Sequence, residues 1–317
     1  MKNIQLKGLS AITASVVLMG TIVVAGGDIA PADINVVEII KKDKPKRVTK
    51  GNMTVKYNIL PPSVDNIRDL FGEGVFYGRL RANAFSWNWD NETWDALKAN
   101  GLKNNINMGV GGSLIYKSGV LNGFSFTTSY YGSANPDFAR MDKWEVGGSK
   151  AGKDTFSRYK VLQTGHYGLY AFGQNYLEYN NGTVDVIAGR QLFESVFTAS
   201  NDTKMIPNTF DGVSTSVKIA PKTKARLAWF GSQKLRDHEE SHDVITFKDK
   251  DGSRWNNNDD AAVHKGLTYN KFVEAGEDPD HDLIVADLQT KYIKNLKFNL
   301  SYLSVPSIVQ DIVAEAH

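Results

Sequence analysis

Apolar and polar residues alternate one by one along several segments of the chain, first at residues 76–89. Phe76 and Leu80 fall on one set of alternate positions, whereas Arg79 and Arg81 fall on the other. Successive side chains of a strand point to opposite faces, so one face can contact lipid while the face with two arginines contacts water. This pattern predicts a strand of a transmembrane β-barrel.

The same alternation predicts about nine strands in total. They cover residues 76–89, 105–116, 124–131, 167–179, 183–190, 211–220, 223–233, 282–292 and 296–304. Every second connection is a long polar loop and the others are brief turns, as in outer-membrane barrels. A soluble β-sandwich can also alternate, but it does not require this asymmetry. The sequence therefore predicts an all-β, transmembrane antiparallel β-barrel over residues 74–317.

The amino-terminal residues have the pattern of an export signal. Lys2 and Lys7 precede an apolar run at residues 9–24, which ends in small residues. This run is shorter than the roughly 20 apolar residues of a spanning helix, so residues 1–25 are predicted to be a cleaved signal peptide rather than an anchor. Residues 26–73 are predicted to be a periplasmic lead-in, with a lumen plug as the alternative. A short helix is expected from an N-cap at Ser63 to Phe71.

Composition narrows the functional classes. The formal net charge of +2 and the lack of a basic block argue against a nucleic-acid partner. The chain contains no cysteine, which excludes disulfides, thiolate metal sites and a cysteine nucleophile. Its mean hydropathy of -0.34 is compatible with a barrel wall, because only alternate residues of a wall contact lipid.

Two loop motifs suggest chemistry but lack its structural context. Residues 238–242 read His-Glu-Glu-Ser-His, the spacing of a zinc protease helix, yet no apolar helical stripe surrounds them. Residues 249–252 resemble part of a calcium loop, but the remaining acidic ligands of an EF-hand are absent. Neither motif makes an enzyme the leading hypothesis, and no metal site or cofactor is predicted.

Basic residues on the polar positions of the strands are the candidate site. In a water-filled lumen with a low-dielectric wall they would attract anions. The alternative is that they only keep a hydrated interior soluble. Asp185 and Asp287 add opposing charge. The predicted pore-lining basic ladder consists of Arg79, Arg81, Lys218, Lys224 and Arg226.

Four stretches together resemble the OprD-like family of substrate-selective outer-membrane porins. They are GEGVFYGRLR at residues 72–81, AGRQ at 188–191, MIPNTFDG at 205–212 and AEAH at 314–317. The resemblance implies a barrel of about eighteen strands, of which this chain would supply half. Because the chain also ends at His317 rather than at the aromatic residue usual in the family, it is expected to be the amino-terminal part of a longer porin.

The resemblance also implies how the channel is narrowed. In such porins the third outer loop folds inward, and a ladder of basic side chains guides carboxylate-bearing solutes past it. By position this loop would be residues 191–210, with Arg79 and Arg81 in the ladder. The residues expected at the constriction are Arg190, Asp202, Lys204 and Asp211.

Together these features predict a passive outer-membrane channel for small hydrophilic, anionic or carboxylate-bearing solutes. Its expected partners are those solutes and outer-membrane lipid, with no nucleic acid, and self-association into a homo-oligomer is left open. The main alternative is a non-channel surface-exposed β-barrel that acts in binding or adhesion through its long loops. An outer-membrane esterase is the third hypothesis.

Overall fold

Ten long strands form one antiparallel sheet in the described part of the chain, and each pairs with the next along the sequence. The computed structural model describes residues 48–49, 55–56, 60–98, 100–202, 204–246, 267 and 269–317. The predicted signal peptide and the calcium-like motif at 249–252 lie outside the described residues, as does most of the lead-in. The all-β barrel-wall architecture predicted from alternation is confirmed, and the sheet is open rather than closed.

The strands alternate in direction along the sheet. The ten wall strands are β4 (Val75–Trp87), β5 (Asn105–Lys117), β7 (Phe124–Ala134), β8 (Gly168–Asn180), β9 (Val184–Gln191), β10 (Thr209–Ala220), β11 (Thr223–Lys234), β12 (Leu283–Thr290), β13 (Phe298–Val305) and β14 (Val309–Ala316). Four two-residue strands lie outside this series: β1 (Val48–Thr49), β2 (Val55–Lys56), β3 (Ser63–Val64) and β6 (Val120–Leu121).

Three short helices lie in the connections: α1 (Ile67–Gly72), α2 (Arg158–Thr164) and α3 (Tyr269–Ala275). Helix α1 begins later than predicted, because Asn66 rather than Ser63 is its N-cap and accepts a hydrogen bond from the Asp69 amide at 2.9 Å. Ser63 instead lies in β3 and pairs with Val120. In the described ranges, no helix combines the length and apolar character needed to cross a membrane.

The tenth wall strand, β14, was not predicted. Its alternation is interrupted where Ile312 and Val313 stand side by side, so the period-two pattern is weak. It nevertheless pairs with β13 along its whole length, from Val305–Val309 to Phe298–Ala316. Backbone pairing thus forms a strand that side-chain pattern alone does not reveal.

The long connections all lie at one end of the sheet. Because the strands are antiparallel, the connections at residues 88–104, 135–167, 192–208 and 235–282 all begin and end at the same end of the sheet, which we call the loop end. The opposite end, the turn end, carries short connections such as the hairpin at 181–183, where Gly182 adopts a φ of 83° that favours glycine. The connection at 306–308 is a short one at the loop end.

The sheet has an exposed apolar face and a covered polar face. Leu80 is 95% exposed and Phe76 is 65% exposed, whereas Tyr77 between them is buried. We call the exposed apolar face the outer face. It continues through other exposed side chains at alternate positions of the wall strands: Ile106, Val110, Leu114, Phe124, Leu177, Val213, Leu227, Leu300 and Ile312.

The opposite, inner face is covered by the loops. Met205 and Ile206 of the 192–208 connection are buried against Tyr131, Leu169 and Ala171 of β7 and β8. A larger apolar cluster joins loop residues to β10–β13 further around the sheet, and its members are Phe193, Phe210, Ala228, Phe230, Val244, Ile245, Phe272, Leu283, Val285 and Val305. The core therefore lies between the inner face and the loops.

Charge on the outer face should block membrane insertion. Leu80→Arg is expected to destabilise the inserted protein by about 2–4 kcal/mol if this position lies near the bilayer midplane. The measurement is the folded fraction in lipid vesicles, read from gel mobility without heating. Leu97→Arg is the matched control, because Leu97 is 97% exposed but lies in a loop. Equal insertion of the Leu80 variant and the wild type would contradict the assignment of the outer face to lipid.

Candidate channel constriction

The first wall strand presents a polar row on the inner face. Arg79, Arg81 and Asn83 occupy alternate positions of β4, and the register places small residues opposite them on β5: Ser113, Gly111 and Gly109. A Cβ at Gly109 would lie 2.8 Å from the Thr155 Cβ and 3.0 Å from the Met205 Cγ. The missing side chain therefore leaves room for two loops to approach the arginines closely.

The connection between β9 and β10 crosses this row. We call residues 192–208 the inward loop. Its Asp202 is only 4% exposed and accepts hydrogen bonds from Arg81 Nη1 at 2.9 Å and Arg81 Nη2 at 3.0 Å. Arg79 Nη2 binds the same carboxylate. One buried aspartate is thus shared by two arginines, in the paired geometry that makes such hydrogen bonds strong.

A backbone contact fixes the next part of the inward loop. The Lys204 carbonyl accepts hydrogen bonds from Arg81 Nη1 and from Asn83 Nδ2, the latter at 2.7 Å. The Lys204 ammonium lies 3.9 Å from the centre of the Phe85 ring. Lys204 therefore binds the side chains of β4 through its backbone carbonyl, whereas its ammonium group contacts an aromatic ring.

Burial destabilises the charged form of Asp202, and the positive side chains around it stabilise that form. The pKa of Asp202 is raised to about 7, because the loss of solvent outweighs the attraction to Arg79 and Lys234 and the hydrogen bond from Arg79. Arg79 and Lys234 therefore favour the ionised form of this carboxylate. Removing either partner would leave an uncompensated charge in a buried place.

Lys234 is a second anchor, and sequence reasoning missed it. It is completely buried, and its Nζ donates hydrogen bonds to the carbonyls of Pro207 at 3.0 Å and Leu235 at 3.1 Å. A lysine at a strand end ordinarily reaches solvent. The alternation of β11 gives no signal that this side chain instead holds the end of the inward loop.

Arg226 lies on the inner face at the other side of the inward loop. Its Nε and Nη2 contact Asp287 Oδ2 at 2.9 and 2.5 Å, and its guanidinium lies 4.2 Å from the Phe193 ring centre. A recess adjoins this pair where the inward loop approaches β12–β14. Its other lining residues are Ser195, Val196, Leu288, Gln289, Asn299, Ser301 and Glu315.

The two remaining ladder lysines lie near the turn end. Lys218 and Lys224 face each other across β10 and β11, on the same alternate positions as Ser216 and Arg226. Lys218 is exposed, and its Nζ donates a hydrogen bond to the Gly182 carbonyl at 2.7 Å. The structure thus does not bring these lysines to Arg79 and Arg81, although all four occupy positions of the inner face.

Arg190 and Asp211, which were expected at the constriction, lie in the two strands that flank the inward loop. They lie in β9 and β10 as directly paired residues, and Arg190 Nε contacts Asp211 Oδ1 at 2.7 Å. The register places them on the same face as Ala188 and the exposed Val213, which is the outer face. Their side chains therefore point away from the inner face across which the inward loop lies.

The zinc-protease spacing does not form a zinc site. The rings of His238 and His242 meet edge to face, 4.9 Å between centres, but residues 238–242 do not lie in a helix. Glu239, the would-be base, pairs with Lys160 Nζ at 2.7 Å and accepts a hydrogen bond from the Tyr170 amide at 2.8 Å. Across the described ranges, no group of three or more metal-ligating side chains is present.

Comparison with solved structures identifies the architecture. The chain superposes on OccAB4 of Acinetobacter baumannii with a TM-score of 0.54 and 13% identity, over 77% of this chain and 54% of that one. The superposition on a BenF-like porin of Pseudomonas fluorescens Pf-5 has a TM-score of 0.53 and 13% identity, and it covers 78% of this chain and 53% of that one. The fold is that of a porin wall. The superposition on OccK8 (OprE) of Pseudomonas aeruginosa has a TM-score of 0.50 and 11% identity, and it covers 78% of this chain and 50% of that one.

These structures are OprD-family outer-membrane porins, so the resemblance seen in the sequence is confirmed at the level of the fold. The chain spans about half the length of these solved structures, at 54%, 53% and 50% of their chains. No protein-family model and no curated protein matches the sequence.

The shared carboxylate should hold the inward loop in place. Asp202→Asn keeps the shape but leaves Arg79 and Arg81 without their anion, at an expected cost of about 3–5 kcal/mol. We expect faster tryptic cleavage after Lys204 in the folded, membrane-inserted protein. The control is Asp137→Asn, which removes a surface ion pair to Arg140 in which the aspartate side chain is 88% exposed. Cleavage after Lys204 that is equally slow in the Asp202 variant and the wild type would show that the ion pairs do not hold the loop.

Proposed function

We propose that the chain is a wall of an outer-membrane channel, through which small hydrophilic solutes pass by passive diffusion. The observation that supports this most strongly is the inward loop held across the inner face by Arg79, Arg81 and Asn83. A wall with an apolar outer face and a polar inner face separates lipid from water, and a loop packed inside it narrows the aqueous path. The proposed location is the outer membrane, reached through a cleaved signal peptide.

Solute size would be selected at the inward loop. Its two flanks are fixed by separate apolar contacts, Phe193 on one side and Met205 with Ile206 on the other. Between them, Asp202 is fixed by ion pairs. A loop held at three places has a defined position, so the opening beside it has a defined width. This supports selection by a rigid constriction.

Solute charge would be selected at the constriction, where two arginines face one aspartate. Asp202 offsets one of the two charges of Arg79 and Arg81, and Asp287 offsets that of Arg226. Lys218 donates to an uncharged carbonyl at the turn end. A local excess of positive charge beside a low-dielectric wall favours anions, so we propose that carboxylate-bearing solutes are preferred. The mechanism requires neither a cofactor nor a covalent step.

A working channel also requires that the sheet edges be paired. In the described residues, β4 and β14 are the edge strands. Lipid offers no hydrogen bonds to an open strand edge, so we propose that further strands complete the wall in the membrane. The activity of the whole protein is proposed on that basis.

Charge selectivity tests the proposal. Replacing Arg79 and Arg81 together by Gln removes two positive charges at the constriction while Asp202 stays. We expect a several-fold fall in the anion-to-cation permeability ratio, because the local field loses or reverses its sign. The measurement is the reversal potential of single channels in planar bilayers under a salt gradient.

Lys98→Gln is the control for this experiment. It removes one positive charge from a side chain that is 80% exposed in a loop. Selectivity that changes equally in both variants would contradict a role for the ladder. If the wild type gave no conductance steps at all, the channel proposal itself would fail.

A further inference from the structure

Residues 60–74 precede the first wall strand and are bound firmly to the turn end. Strand β3 pairs in parallel with β6 in the β5–β7 turn. The Val120 amide donates to the Pro62 carbonyl at 2.9 Å, and the Gly119 amide donates to the Leu70 carbonyl at 2.8 Å. These backbone bonds fix both β3 and helix α1 against one turn. We call residues 60–74 the docked segment.

The docked segment lies on the outer face of the wall. The Phe71 ring of α1 contacts Phe126 at 5.3 Å between centres, Phe126 contacts Tyr116 at 5.6 Å, and Tyr116 contacts Phe76 at 4.7 Å. Tyr116 and Phe76 are directly paired across β5 and β4 and share the face of Leu114 and Leu80. An unbroken row of rings therefore joins α1 to the apolar outer face.

Two features hold the segment in this position. The Tyr116 hydroxyl donates a hydrogen bond to the Phe71 carbonyl at 2.6 Å. A Cβ at Gly74 would lie 2.3 Å from the Tyr116 hydroxyl oxygen, so the absence of a side chain lets the backbone pass close to this ring into β4. The position of α1 is thus fixed by the wall itself.

The docked helix leaves large apolar side chains uncovered. Ile67 is 67% exposed and Phe71 is 58% exposed. Asp65 and Arg68, which flank Ile67, are exposed as well. Apolar side chains next to charged ones on a segment fixed to a membrane protein are typical of a surface that lies at the boundary between acyl chains and water.

We propose that the docked segment binds the lipid–water interface on the turn side of the membrane and forms part of the aromatic girdle of the wall. This inference rests on the proposed membrane location of the sheet. Aromatic rings at strand ends settle at the level of lipid headgroups, and the row from Phe76 to Phe71 begins at such an end.

Continuity with the outer face favours lipid over a protein partner. The turn between β12 and β13, at the same end of the sheet, also exposes Tyr292 (75%) and Ile293 (62%). Phe124 and Tyr179 add another ring pair at this end, with centres 4.8 Å apart. Exposed apolar side chains thus recur around the turn end, as expected for a bilayer that surrounds the wall rather than for a partner that binds at one place.

Spin labels can locate the segment because the chain contains no cysteine. Three single variants, Ile67→Cys, Asp65→Cys and Leu80→Cys, are labelled with a nitroxide in the whole chain. Each is inserted into vesicles of phosphatidylethanolamine and phosphatidylglycerol. The measurement is the ratio of collision rates with oxygen, which concentrates in lipid, and with a water-soluble nickel chelate. Leu80 reports membrane insertion, and Asp65 reports the aqueous side of the same segment.

We expect a high oxygen-to-nickel ratio at Leu80, a low ratio at Asp65 and a ratio between them at Ile67. An Ile67 label as accessible to nickel as the Asp65 label, with Leu80 still in lipid, would overturn the interface inference and leave the channel proposal intact. An Ile67 label shielded from both reagents would overturn it in favour of a protein contact. A Leu80 label in water would reject the membrane location and, with it, the inference.

Discussion

Alternation of side chains along paired strands is the constraint on which the remaining features depend. Each wall strand satisfies its backbone hydrogen bonds with its neighbours, so its two faces are free to differ in polarity. Leu80 and Arg79 are adjacent in sequence, yet one is 95% exposed and the other binds a buried carboxylate. A shift of one residue in register would exchange them, and both the outer face and the ladder would be lost.

The inner face is organised by contacts between the wall and the loops rather than by the wall alone. Asp202 forms ion pairs with Arg79 and Arg81. The Lys204 carbonyl accepts hydrogen bonds from the side chains of Arg81 and Asn83, and Lys234 donates a hydrogen bond to the Pro207 carbonyl. The same loop end carries a buried ion pair between Arg236 and Asp154, at 2.9 Å, which joins two other connections. Polar contacts thus give the loops fixed positions, and the apolar clusters beside them exclude water.

Local patterns predicted the wall, whereas distant contacts escaped them. The period-two alternation of β4 predicts which face of the sheet carries Arg79 and Arg81. Their partner Asp202 is 121 residues away from Arg81, and only the family resemblance indicated the loop that contains it. Arg190 and Asp211 were expected at the constriction because they flank the predicted loop, but their positions in the alternation of β9 and β10 place them on the outer face. Strand β14 was missed because Ile312 and Val313 are adjacent, and the burial of Lys234 depends on a loop that folds over it.

Chemical labelling of consecutive residues along β10, where the exposed Lys218 lies on the inner face, tests the central claim most directly. Cysteines placed one at a time at positions 215 to 219 of the membrane-inserted chain would be exposed to a membrane-impermeant maleimide. The account predicts labelling with a period of two, with positions 216 and 218 reactive from the aqueous side and positions 215, 217 and 219 protected by lipid. Uniform reactivity at all five positions, or a helical period of protection, would contradict it.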